Sequence, residues 1–192
     1  MADKDQNPVM RKSDATKQRL IEAATVEFAT YGIAGGRVDR IAVNAKCNKQ
    51  AIYAYFESKD GLFDAVYDRM VNATIQSVPV DANDLPAYAA RLFDRYRTHP
   101  EVLRLTRWHN LERNTPPPQV ALDAAAEKIA AIRTAQKSGV ITRRYKAEDL
   151  LELLLSMAKV GAEGSPESGP SNASPDDLRK TLIDAVKKVV AP

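Results

Sequence analysis

The chain has 192 residues, 44% of them hydrophobic and 28% charged, with a formal net charge of +3. These are the proportions of a folded globular protein, and they exclude a disordered or collagen-like polymer. At this length folding buries roughly 70% of the surface the unfolded chain exposes, so a core forms without a disulfide or metal staple; the single cysteine, Cys47, excludes an internal disulfide in any case.

Residues 1–13 are polar and without periodicity, and are expected to form a flexible N-terminal arm lacking the apolar run of a signal peptide. From Thr16 the pattern turns helical: Ile21, Ala24, Phe28 and Tyr31 share the three-four spacing of one buried face, and Gly32 is a natural stop. After Ala34-Gly35-Gly36, a second short helix carries Val38, Ile41, Ala42 and Ala45 on one side. Asn48 then caps a third helix whose apolar face is Ile52, Tyr55 and Phe56, and Ser58 caps a fourth that carries Leu62, Phe63, Val66 and Met70 up to Pro79. Further helices are predicted near 84–98, 100–114, 117–138, 147–160 and 175–190, with a Gly/Ser/Pro-rich loop over 161–175. No β-alternation or internal repeat is visible, so the fold class is all-α. The longest nearly apolar stretch, near 150–160, is too short to span a bilayer, and a cytoplasmic protein with no membrane partner is expected.

Three short helices in succession, the last two joined by a tight turn, form helix-turn-helix organisation. The third helix then presents Lys49, Gln50 and, one turn on, Tyr53 outward while Ile52 and Phe56 face inward. Lysine suits guanine O6/N7 or a phosphate, glutamine suits adenine N6/N7, and a tyrosine hydroxyl reaches phosphate. Five basic residues (Arg37, Arg40, Lys46, Lys49, Lys59) stand against Asp39 and Glu57 between residues 37 and 59, so this segment could hold the whole formal charge excess. Short helices with exposed Lys and Gln also occur in proteins that bind no nucleic acid, which leaves a helical protein-interaction module open at this point.

The order Ala23-Ala24, Phe28, Gly32, Val38, Ile41-Ala42, Ile52-Tyr53-Ala54-Tyr55-Phe56, Ser58-Lys59-Asp60 and Leu62-Phe63 resembles the N-terminal domain of TetR-family regulators. The resemblance implies an N-terminal three-helix DNA-binding domain over 14–60 and a C-terminal helical ligand-binding and dimerisation domain over 61–192. It implies base contacts from Lys49 and Gln50, phosphate contacts from Tyr53, Tyr55 and Lys59, and Asn48 at the start of the recognition helix. Arg37 stands where the family has Ser or Thr and could reach a phosphate. Two departures are visible: Gly36-Arg37 replaces the Thr/Ser pair that caps the second helix, and Lys46 replaces the turn glycine, where a left-handed conformation costs roughly 1 kcal/mol. Cys47 occupies a position where the family has a buried aliphatic residue.

The resemblance further implies a homodimer that binds double-stranded DNA at a pseudo-palindromic operator and is released, as a repressor, by a small-molecule effector of unknown identity. The stretch Leu150–Ala158 is apolar around most of the helix, as is the last helix, so Leu151, Leu154, Leu155, Leu178, Leu182 and Val186 are expected at the dimer interface; burial within one subunit is the alternative. Tyr67, Tyr88, Phe93, Arg104, Trp108 and His109 lie on helices that line the effector pocket in related proteins. His99 and His109 are the only histidines, and HExxH, GxSxG and P-loop patterns are absent, so no enzyme, no catalytic residue, no metal and no cofactor are expected. A DNA-binding dimer without a sensor remains the second alternative.

Overall fold

In a computed structural model, residues 8–113, 115–162 and 174–192 are described, and they form nine helices and no strand. These are α1 (Pro8–Gly35), α2 (Val38–Asn44), α3 (Lys49–Phe56), α4 (Lys59–Ser77), α5 (Leu85–Thr98), α6 (Glu101–Glu112), α7 (Gln119–Lys137), α8 (Ala147–Met157) and α9 (Pro175–Val190). The fold class is therefore all-α, as expected. Helix α1 begins at Pro8, so residues 8–13 of the expected arm are helical, while residues 1–7 and most of the 161–175 loop lie outside the described residues.

The helix ends follow from local chemistry. The Asn48, Asp84 and Ser174 side chains accept from Ala51 N–H (2.9 Å), Ala87 N–H (3.0 Å) and Asp177 N–H (3.1 Å) respectively, each filling an orphan donor of the first turn. Ser58 Oγ does the same for Gly61 N–H at 2.9 Å. Past the end of α7, Gly139 takes φ 76° and Val140 N–H reaches back to Ala135 C=O at 3.0 Å, the Schellman arrangement.

Packing divides the chain into two compact units. The first holds the described residues up to Met70 together with Glu101–Pro116; the second holds Val71–Pro100 and the described residues from Pro117 onward. Helix α6 thus groups with the N-terminal helices in the first unit. In the first unit Leu20, Ala24, Phe28, Ile41, Ile52, Leu62, Phe63 and Leu105 are buried, and Phe28 meets Phe63 edge-to-face with ring centroids 5.4 Å apart.

Tyr31 departs from the expected buried face: it is 50% exposed, with the Arg40 guanidinium 4.3 Å from its ring centroid. Immediately after Tyr31 the backbone bends at Gly32 (φ 74°, ψ −175°), and Ile33 beyond the bend is buried. Cys47 is half-buried rather than sunk in the core, and its thiol donates to Ala45 C=O at 3.2 Å.

In the second unit α9 packs along α5, and α8 touches α5, α7 and α9. These contacts consume four of the six leucine and valine positions expected at a dimer surface. Leu151, Leu154, Leu182 and Val186 are buried within the subunit itself, while Leu155 and Leu178 stay half-buried. The apolar stripe of each helix is wide, and the inward half is the half those four residues occupy. The outward half carries Leu153, Met157 and Val160 on and just beyond α8, and Leu178 and Ala185 on α9.

Candidate nucleic-acid interface

Helices α2 and α3 are joined by a turn in which Cys47 N–H donates to Ala42 C=O at 3.0 Å and Lys46 N–H to Val43 C=O at 3.1 Å. Lys46 has φ 54°, the left-handed conformation that its position in the turn demands. The turn sets α3 so that Ile52 and Phe56 are buried while Lys49, Gln50, Tyr53 and Ala54 are exposed. Tyr53 is 46% exposed, so its ring stands out from the surface rather than packing against it.

The seven expected contact residues fall into two groups. Arg37, Lys49, Gln50 and Tyr53 are exposed at the ends of α2 and along α3. The other three have intramolecular partners: Asn48 Oδ1 caps α3, Tyr55 Oη lies 3.1 Å from Ser13 Oγ, and Lys59 Nζ donates to Ala34 C=O (3.3 Å) and Gly36 C=O (3.4 Å). Lys49 is not wholly free either. Its Nζ sits 2.9 Å from Asp39 Oδ1 on α2, and that carboxylate holds the ammonium above the ordinary lysine value.

The start of α2 is secured by a residue that periodicity did not single out. Glu27 is only 4% exposed and accepts from Arg37 N–H (2.8 Å), Arg40 Nε (2.9 Å) and Arg40 Nη2 (2.5 Å). Burial alone would raise its carboxyl, but the hydrogen bonds from Arg40 and the Arg37 amide outweigh that and hold it below the usual carboxylate value. Arg37 itself makes no side-chain cap; Glu27 instead fixes the start of α2 by accepting from the Arg37 backbone N–H, the bond that the glutamate of a capping box makes, whereas a Ser or Thr in place of Arg37 would accept from an amide further into the first turn. Gly36 has its own reason: a Cβ there would stand 2.8 Å from the Phe28 ring and 3.0 Å from Gly32 C=O, which excludes the side chain of a capping residue. A signal for Glu27 was present, since it lies seven residues after Leu20 on the buried side of α1.

The turn between α1 and α2 is gripped from α6 as well. Glu112 Oε2 accepts from Ala34 N–H at 2.7 Å, so one residue, Ala34, is held by Glu112 at its amide and by Lys59 at its carbonyl. Arg113, just past α6, pairs with Asp60 (3.2 Å) and with Asp64 on α4.

The six residues expected at an effector pocket do not share one unit. In the first, Tyr67 and His109 are buried and stack with centroids 4.3 Å apart and planes within 5°. Arg104 and Trp108 line an open pocket beside α1. In the second, Tyr88 and Phe93 are buried on α5; Tyr88 Oη has no hydrogen-bond partner among the described residues, burial pushes its hydroxyl's pKa up, and the Lys128 ammonium lies 6.0 Å from its ring centroid. No described helix is long and apolar enough to cross a membrane.

Known proteins share this arrangement. Residues 20–66 match the family described as bacterial regulatory proteins, tetR family, and residues 84–188 match the tetracyclin repressor-like C-terminal domain. The HTH-type transcriptional repressor SCO4008 of Streptomyces coelicolor is 42% identical over 188 residues, covering 94% of this chain and 97% of its own. The crystal structure of the transcriptional regulator SCO4942, also from Streptomyces coelicolor, superposes with a TM-score of 0.83 at 36% identity, over 91% of this chain and 98% of that one. AibR, crystallised with isovaleryl coenzyme A and operator DNA, shares the fold at a TM-score of 0.68 and 12% identity, over 89% of this chain and 97% of that one. With both domain signatures present and a repressor relative matched along almost its whole length, the chain belongs to the TetR family of helix-turn-helix, DNA-binding transcriptional regulators.

Proposed function

We propose that this regulator is a cytoplasmic repressor that binds a pseudo-palindromic operator as a homodimer and leaves it when a small-molecule effector binds. The observation that carries the reading is the division of α3 into a buried Ile52/Phe56 face and an exposed Lys49/Gln50/Tyr53 face. In the major groove those three side chains meet bases and backbone, with Lys49 and Gln50 reading base edges and Tyr53 and Arg37 contacting phosphate. Tyr55 and Lys59 serve by holding the domain in shape, because their polar atoms already have partners on α1 and its following turn.

The partner subunit covers the outward apolar strip of α8 and α9. There Met157, Val160, Leu178, Thr181, Leu182 and Ala185 line a groove of about 160 Å³. The effector acts on the second unit, where the buried Tyr88 hydroxyl, without a hydrogen-bond partner among the described residues, and the half-buried Lys128 offer polar groups. Support comes from relatives: SCO4008 is called a repressor, and AibR holds both an acyl coenzyme A and operator DNA.

Selection of bound duplexes from a random pool at near-physiological salt tests this reading. An enriched pseudo-palindrome with half-sites about one helical turn apart (roughly 34–36 Å) is the expected result. Enrichment of no motif, with binding that vanishes uniformly as salt rises, would contradict base reading by α3.

A further inference from the structure

Lys49 opens α3 and Asp39 lies in the first turn of α2, and their side chains meet with Nζ 2.9 Å from Oδ1. The carboxylate is 73% exposed, so the pair contributes little to stability. Because the two groups touch, any base pair that Lys49 reaches also comes within reach of Asp39. The major-groove edge of a base pair carries a matching arrangement. Guanine O6 is an acceptor and cytosine N4 a donor, bonded to each other at about 2.9–3.0 Å, the ordinary N–H···O length. A donor and an acceptor 2.9 Å apart on the protein thus face an acceptor and a donor at nearly the same separation.

One orientation of one base pair satisfies this pattern fully. With guanine under Lys49, the ammonium donates to O6 and N7 while the carboxylate accepts from the cytosine N4 amino group. Turned round, the pair sets ammonium against amino group and carboxylate against O6, and both contacts repel. Thymine under Lys49 offers only O4, and adenine N7 then lies on the carboxylate's side; adenine under Lys49 leaves thymine O4 facing the carboxylate. We propose that Asp39 is a specificity-determining residue that, together with Lys49, reads one G·C pair in each half-site, with guanine on the lysine side. This rests on the reading of α3 as the recognition helix and adds to it a reader on α2 and the base pair it selects. Phosphates repel the same carboxylate, so Asp39 lowers affinity for DNA at large while it sharpens discrimination at one position.

Duplex selection and competition binding with the full-length protein, Asp39→Ala, Lys49→Ala and the double variant, all folded, test the proposal. The unaltered protein should enrich a pseudo-palindrome in which one G·C pair per half-site is preferred over its reversed or A·T replacement by about tenfold or more. Asp39→Ala should lower that preference at least about fivefold, leave the other positions as they were and raise affinity for random duplex. In the Lys49→Ala background, Asp39→Ala should lower it further, by about threefold. A motif that keeps every preference in Asp39→Ala, or loses one at a pair other than G·C, would overturn the proposal and leave base reading by α3 standing. No further loss in the Lys49→Ala background would overturn it too, since the acid would then act only through the lysine. Absence of any motif with the unaltered protein would overturn this proposal and the reading of α3 together.

Discussion

Lys49 is held by Asp39 before any DNA arrives, across a 2.9 Å contact between α3 and α2. Both groups are exposed, so the pair adds little stability, but it takes up a cation that recognition needs. Replacing Asp39 by Asn should leave the fold intact, raise affinity for random duplex severalfold and steepen the salt dependence of log K by about one. Fluorescence anisotropy over a salt series reads both effects.

Glu27 is the opposite kind of pair. Its carboxylate is buried, and Glu27→Ala leaves Arg40 and the Arg37 amide without their acceptor. Loss of one partner of a buried pair costs about 3–5 kcal/mol; because Arg40 is partly exposed the expected loss is about 2–3 kcal/mol, measured by urea unfolding. The sign of the pH effect follows from the lowered carboxyl. The folded state binds the proton less readily than the unfolded chain, so the stabilisation is fully present above the ordinary glutamate value of 4.5 and is lost as pH falls through the lower folded value. A Glu27→Gln variant should flatten that acid limb of the stability profile. At Lys46, the φ of 54° marks a position where glycine is better tolerated, and Lys46→Gly should stabilise by about 0.5–1 kcal/mol, or roughly 1–4 °C in melting temperature.

At the scale of elements, the caps were legible because each is a local event: Asn48, Ser58 and Gly139 act on backbone groups within a few residues. The recognition face was legible for a similar reason, since Ile52 and Phe56 define it by spacing alone. What escaped the sequence are the long-range ties that hold the α1–α2 turn. Glu112 is 78 positions from Ala34, and Lys59 is 25 positions away; neither spacing has a periodic signature. Glu112→Ala should weaken operator binding and speed amide exchange at Ala34 without unfolding the domain. Glu112→Gln, which still offers a carbonyl oxygen to that amide, should restore most of both. Unchanged exchange in the Ala variant would mean that α6 does not hold the turn.

At the scale of the whole molecule, amphipathicity marked α8 and α9 as helices covered on two sides but could not say which side faces which neighbour. Leu151, Leu154, Leu182 and Val186 went inward because α5 and α7 pack there. The strip left over, near Met157, Leu178 and Ala185, is where a second copy is expected. Ala185→Glu places a charge in that strip without disturbing the buried residues. Light scattering at micromolar concentration should then give a monomer mass where the unaltered protein gives a dimer, with operator affinity falling in step because two recognition helices no longer act together. The effector pocket was the least legible feature, because aromatic residues that fill a core and aromatic residues that face a ligand have the same spacing.

The central claim is that α3 reads bases through Lys49 and Gln50, with Tyr53 on phosphate. Its most direct test compares a folded Lys49→Ala/Gln50→Ala variant with the unaltered protein on the selected operator and on random duplex at one salt concentration. Loss of about 100-fold or more on the operator with a much smaller loss on random DNA is the expected result, at about 1–3 kcal/mol for each specific contact. Equal operator affinity in the two proteins would contradict the assignment of α3 as the recognition helix.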